Sequence, residues 1–191
     1  MSVKKDEFML FLNNTGLKEF YNSLSTEEKE QFKQACYVGV SFGSDGSIES
    51  GHLVTFRDKD KLLYIIPANL IYRQQYELAL KILDEGIKLA NDRKTLAQYH
   101  IGYALAYEKM KDVKKCNYHC EKAVELLHQG TYAYERLIKN YVKAKDYQNA
   151  LRICDMVLER QEVFNEPTWK GISEYVNKRK AFILKQIDKK Q

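Results

Sequence analysis

Apolar residues recur at helical spacing through most of this chain, and two stretches carry the pattern most clearly. Leu96 to Leu127 reads as two amphipathic helices joined by a polar turn at Lys111-Asp112. Thr131 to Arg160 repeats the arrangement. Ala104 and Tyr107 line up with Ile138 and Tyr141, Asp112 with Asp146, Cys116 with Ala150, and Cys120 with Cys154. The offset is 34 residues throughout. A fixed period of this length predicts an array of helix-turn-helix units that bury their apolar faces against their neighbours.

A looser copy precedes these two. In Lys61 to Ala90, Tyr76-Glu77-Leu78-Ala79 stands where Val113 to Cys116 and Tyr147 to Ala150 stand later, at an offset of 37. The loop Asn91-Asp92-Arg93-Lys94 absorbs the extra length. Pro67 should kink the first helix of this copy or mark its start. Further upstream, short helices are expected over about Lys5 to Asn13 and Leu17 to Ser23, separated by Asn13-Asn14-Thr15-Gly16. Asn and Gly there suit the left-handed backbone of a helix stop. Ser25-Thr26-Glu27-Glu28 is a helix start, with Ser25 and Glu28 placed for reciprocal capping. That helix should run through Phe32, Ala35 and Cys36 to about Val38. Gly39 to Gly51 carries the loop Gly43-Ser44-Asp45-Gly46-Ser47. Its flanks admit a small hairpin or helix ends, and irregular structure is favoured. Asn165-Glu166-Pro167 opens a last helix, with an apolar stripe of Trp169, Ile172, Tyr175, Val176, Phe182, Ile183 and Ile187. A single striped helix after a repeat array predicts a cap over the last exposed face.

Ala104, Tyr107, Lys111-Asp112, Cys116, Cys120 and Ala123, with Tyr141, Asp146-Tyr147, Ala150 and Cys154, resemble the tetratricopeptide repeat family. The resemblance covers about Lys61 to Gln161. His100 and Tyr134 stand where that family often has tryptophan, Ile138 replaces a small residue, and His128 stands where proline is common. A related two-helix repeat of similar length is therefore the alternative. The resemblance implies an all-α fold: a right-handed superhelical stack of helix pairs, flanked by an N-terminal helical segment and a C-terminal capping helix. The corresponding divisions are 1–56, 57–164 and 165–191. It further implies a concave groove lined by the first helix of each pair, which would bind a protein or peptide segment. The groove positions carried over are Tyr64, Ala68 and Tyr72 in the first copy. They are Gln98, Ile101, Leu105 and Glu108 in the second, and Tyr132, Glu135, Lys139 and Lys143 in the third. Leu105 stands where the family's clamp for a terminal carboxylate would have asparagine, so that clamp is not expected. The tyrosines could instead simply cover the interior of the stack.

Composition changes this picture little. At 191 residues, 45% hydrophobic and 30% charged, the chain can bury a full core. Only two prolines are present, which favours helix. A net charge of +5 admits an acidic partner without requiring nucleic acid. No apolar run approaches the roughly twenty residues of a membrane span. Asp6 and Glu7 interrupt the first apolar run, so no signal peptide is read. Four cysteines without framework spacing point to free thiols and a reducing cytoplasm.

Candidate chemistry is sparse. Cys116, His119 and Cys120 share one helix face, and Cys154 could join them as ligands of a structural zinc. The cysteines also fall where the repeat needs small buried residues, and that is the preferred reading, with no metal and no cofactor. A catalytic thiol would need a base within reach of Cys120, and His119 lies about 100° round the helix from it. Gly43 to Ser47 lacks the lysine and helix of a phosphate loop. The expectation is a non-enzymatic scaffold for protein binding. The alternatives are a nucleic-acid-binding or regulatory protein using Lys178-Arg179-Lys180, Lys185, Lys189 and Lys190, and a sensor of a signalling peptide.

Overall fold

The computed structural model describes residues 2–42, 48–53 and 59–189. Among them are ten α-helices and one two-stranded hairpin, so the fold is helical, as the apolar spacing requires. The chain groups into two compact units, Met1–Leu89 and Ala90–Gln191. The first helix pair therefore belongs with the N-terminal segment. The loop expected at 43–47 and the division expected at 56/57 lie outside the described residues.

In the first unit, α1 (Ser2–Thr15) stops at Gly16, whose φ of 67° is the left-handed conformation that glycine adopts without strain. The amide of Leu17 reaches back to the carbonyl of Leu12 at 3.0 Å, which satisfies one of the helix's orphan acceptors. After α2 (Lys18–Ser23), α3 (Thr26–Ala35) begins with the expected capping box: Ser25 Oγ accepts from the Glu28 amide, and Glu28 accepts from the Ser25 amide at 2.9 Å. The helix ends before Val38, because Tyr37–Phe42 leaves it as β1 and pairs antiparallel with β2 (Ile48–Leu53). A hairpin thus replaces the irregular structure expected there. Its register slips between Val38 and Ser41. Phe8, Leu12, Leu17, Phe32, Ala35 and Tyr37 are buried, with Tyr21 edge-on to Phe8 at 5.4 Å. The helices α4 (Lys59–Tyr72) and α5 (Tyr76–Leu89) form the first pair. Pro67 lies inside α4 and does not start it. Asn69 of α4 donates to the Ala35 carbonyl at 2.9 Å, which ties the pair to α3.

The second unit contains α6 (Arg93–Lys109), α7 (Val113–Glu125), α8 (Tyr132–Lys143), α9 (Tyr147–Glu159) and α10 (Glu166–Asp188). Each helix packs on the next, and α6 also touches α8. Small residues at the crossings, Ala104, Cys116, Ala123, Ala133 and Ala150, are fully or almost fully buried, so the backbones approach closely. Tyr99 and Tyr134 are the largest fully buried side chains.

One turn recurs in both units. Gln74, Lys111 and Lys145 have φ of 63°, 64° and 59°. The next amide, of Gln75, Asp112 or Asp146, donates back to Leu70, Tyr107 or Tyr141 at 2.9 Å each time. This closes the preceding helix with a six-to-one hydrogen bond around a left-handed residue. Asp112 and Asp146 then cap the following helix by accepting from the amides of Lys115 and Asn149 at 3.0 and 3.2 Å. One residue thus ends one helix and starts the next, which is how a pair folds back on itself with so short a connection.

The final helix covers the last pair. Ile172, Val176 and Ile183 are buried in one core with Ile153, Cys154 and Val157 of α9. Asn165 caps α10 by accepting from the Thr168 amide at 3.0 Å. Phe182 departs from the expected stripe: it is 43% exposed, because Val176 and Ile183 already fill the face toward α9.

Candidate groove between helices α6, α8 and α10

The groove positions of the second unit do not form one continuous row. Ile101 is buried and belongs to the core, so it offers no surface. Leu105 is half-buried against the same core. Gln98 lies near the start of α6, in a separate cleft with the α7–α8 turn. Lys143 is exposed at the end of α8. In the first unit Tyr64 and Ala68 are half-buried, and Tyr72 is 89% exposed.

Glu108, Tyr132, Glu135 and Lys139 do come together. Glu108 on α6 holds the start of α8 through two contacts. The Tyr132 hydroxyl donates to it at 2.6 Å, and Arg136 pairs with it at 2.5 Å. The Arg136 guanidinium also lies 5.5 Å from the centre of the Tyr132 ring, within range of cation–π attraction. Burial, then the hydrogen bond to Glu108, pushes the Tyr132 hydroxyl pKa far up, so it stays a neutral donor. Arg136 Nε is buried without a hydrogen-bond partner among the described residues.

Beyond this ion pair, Tyr132, Glu135, Arg136 and Lys139 of α8 face Tyr175 and Arg179 of α10 across a cleft of about 270 Å³. Arg179 sits over the Tyr175 ring at 5.3 Å. Two guanidinium groups thus lie over tyrosine rings on opposite walls. Arg136 is already paired with Glu108, so Lys139 and Arg179 are the lining cations set against the single lining carboxylate of Glu135.

Arg136, Tyr175 and Arg179 are not among the groove positions carried over, which take no residue from the last helix. The signal was present for Tyr175. The 34-residue spacing carried once more places it after Tyr107 and Tyr141, Ile172 after Ala104 and Ile138, and the cap Asn165 after Thr131. The last helix is therefore in register as the first helix of a further, unpaired copy.

The cysteine and histidine cluster does not converge as drawn from sequence. Cys116, Cys120 and Cys154 are buried in the core. His119 turns instead to His100, with their Nδ1 atoms 3.0 Å apart, and its ring stacks on Tyr103 at 4.5 Å. Burial lifts the Cys154 thiol to about 11, and the hydrogen bond between Cys116 and Cys120 lowers the first thiol while it and burial raise the second, so Cys120 and Cys154 are held from the thiolate that a nucleophile or ligand needs. Among the described residues no group of three or more His, Cys, Asp or Glu could hold a metal ion. Of the basic residues on α10, Lys180 is engaged with Asp155 at 2.5 Å and Arg179 with Tyr175. Among the described residues no helix is long and apolar enough to cross a membrane.

No protein-family model matches this chain, and no curated protein matches it.

Proposed function

We propose that this protein is a non-enzymatic interaction module of the tetratricopeptide-like kind, and that it binds an acidic segment of a partner protein between α8 and α10. The observation that carries the reading is the cleft itself: Lys139 and Arg179, the latter over the Tyr175 ring, stand beside the single carboxylate of Glu135, while Arg136 is held over Tyr132 by Glu108. Arginines held in this way are ready to meet carboxylates without losing much side-chain freedom. The tyrosines add apolar surface beside the charges. The recurring turn and the 34-residue register of α6, α8 and α10 support a superhelical array in which these helices form one concave face.

Fluorescence anisotropy with labelled acidic, neutral and basic peptides tests the reading on the full chain. Acidic peptides should bind. The double variant Lys139→Glu, Arg179→Glu should weaken them by roughly tenfold or more, while Lys143→Glu should have little effect. Equal binding of all three peptide classes, or acidic binding untouched by the double variant, overturns it. Preferential binding of a single-stranded oligonucleotide, lost steeply with salt, would move the assignment to nucleic acid.

A further inference from the structure

A second cleft, sharing no lining residue with the first, lies between the opening turns of α6 and the turn that joins α7 to α8. It measures about 400 Å³, within the range of small-molecule sites, roughly 300–1,000 Å³. Its lining contains two cations, Arg93 and Lys94, and no carboxylate. The nearest acidic side chain in sequence, Asp92, is occupied with the amide and hydroxyl of Thr95 at 2.9 and 2.7 Å. Arg93 is positioned by its own hydrogen bond to the Glu125 carbonyl at 3.2 Å.

The other wall is apolar. Leu126 is half-buried and Leu127 is 42% exposed. Leu127 occupies the left-handed position of its turn, with φ of 60°. At the three helix-pair turns that position holds Gln74, Lys111 or Lys145. Among the described residues, Leu127 is the one apolar side chain at a left-handed non-glycine position, and it lines a cleft. His128 completes the wall. Burial holds its pKa below the usual histidine value, so it is neutral at pH 7. Its ring folds over Gly130 so closely that a Cβ there would stand 2.6 Å from Nε2.

From this arrangement we infer that the cleft is a binding site for a small organic carboxylate with an apolar body. The carboxylate would meet Arg93 and Lys94, and the body would lie on Leu126 and Leu127. A bare inorganic anion would leave the leucines exposed to water. A neutral apolar molecule would leave the two cations unmatched. The combination therefore selects for a ligand with both parts.

The probe is 4-phenylbutyrate, titrated into the full-length protein and followed by amide chemical shifts. Saturable shifts should be confined to residues near Arg93-Lys94 and Leu126 to Gly130. Lys94→Gln combined with Arg93→Gln should weaken binding roughly tenfold or more. Leu127→Gly should also weaken it, and this variant relaxes the turn, so loss of fold does not confuse the result. Gly130→Ala should weaken binding by pushing the His128 ring into the cleft. Neutral 4-phenylbutanol and acetate should give no saturable shift. Equal binding of 4-phenylbutanol, shifts centred on other residues, or no saturable response to 4-phenylbutyrate would each overturn the assignment.

Discussion

The turn between α4 and α5 and the turns within α6–α7 and α8–α9 share one backbone but differ in one side chain. All three close with a left-handed residue and a 2.9 Å back-bond. Asp112 and Asp146 then cap the next helix. Gln75 occupies the same place before α5, and its Oε1 is buried without a hydrogen-bond partner among the described residues. Its longer side chain does not serve as the short aspartate does. The left-handed residues are not glycine, and each costs about 1–2 kcal/mol relative to right-handed backbone. The conformation is therefore imposed by the packing of the two helices, and the cap only helps. That is why the first copy has the same turn without the aspartate.

The sharpest way to break this comparison is to remove α10. Deleting residues after Phe164 strips the cover from Ile153, Cys154 and Val157, which share a core with Ile172, Val176 and Ile183. The expected outcome is aggregation or a large fall in melting temperature of the second unit, seen by calorimetry. An unchanged melting temperature in a monomeric truncation would mean that α10 is no cap. Next in size is Tyr134→Ala, which empties a fully buried site and should cost about 3–5 kcal/mol in urea titration. Tyr107→Ala should cost less, because Tyr107 is only half-buried.

Ala104→Leu should cost about 1–3 kcal/mol by overpacking the α6–α7 crossing, measured the same way. The equivalent site in the next pair already holds Ile138, so Ile138→Leu should cost less than Ala104→Leu. A reversed order would show that the two crossings are not equivalent. The capping difference predicts a gain. Gln75→Asp should stabilise the first unit by about 0.5–2 kcal/mol, whereas Asp146→Ala should destabilise the second by a similar amount. Equal and negligible effects would show that the caps are irrelevant to both.

The smallest effect concerns pH, and it separates the second pair from the third. His100 faces His119 and lies near Lys122 and Glu125 of α7. Burial, then Lys122, lowers its pKa, and burial lowers that of His128. A base whose folded pKa is depressed contributes stability that is full above its unfolded value, near 6.5. That stability is lost as pH falls through the folded pKa. Urea midpoints should therefore drop between pH 7.5 and pH 5, and His100→Phe should reduce the drop. A midpoint that rises on acidification would contradict this account.

Much of the helical layout was legible because it rests on local rules. The capping box at Ser25, the stop at Gly16, the polar turn at Lys111-Asp112, the cap at Asn165 and the 34-residue offset are short-range signals with a fixed geometry. The hairpin at Tyr37–Phe42 and Ile48–Leu53 was not legible, because short apolar runs serve strands and helix ends alike. The candidate groove was half legible. Tyr132, Glu135 and Lys139 are positions that the family resemblance implies, whereas Ile101, implied in the same way, is buried because one residue of helical rotation separates a core face from a surface face.

The sequence by itself determined several helix starts and stops, which residues repeat, and that small residues would sit at the crossings. These depend on hydrogen bonds and side-chain sizes within a few residues. Tertiary structure alone decided that Arg136 would be held by Glu108, and that Tyr175 and Arg179 would face α8. It also decided that His119 would turn from the cysteines to His100. Those outcomes depend on how far each helix rotates and slides when its apolar face is buried, and no local spacing specifies that rotation.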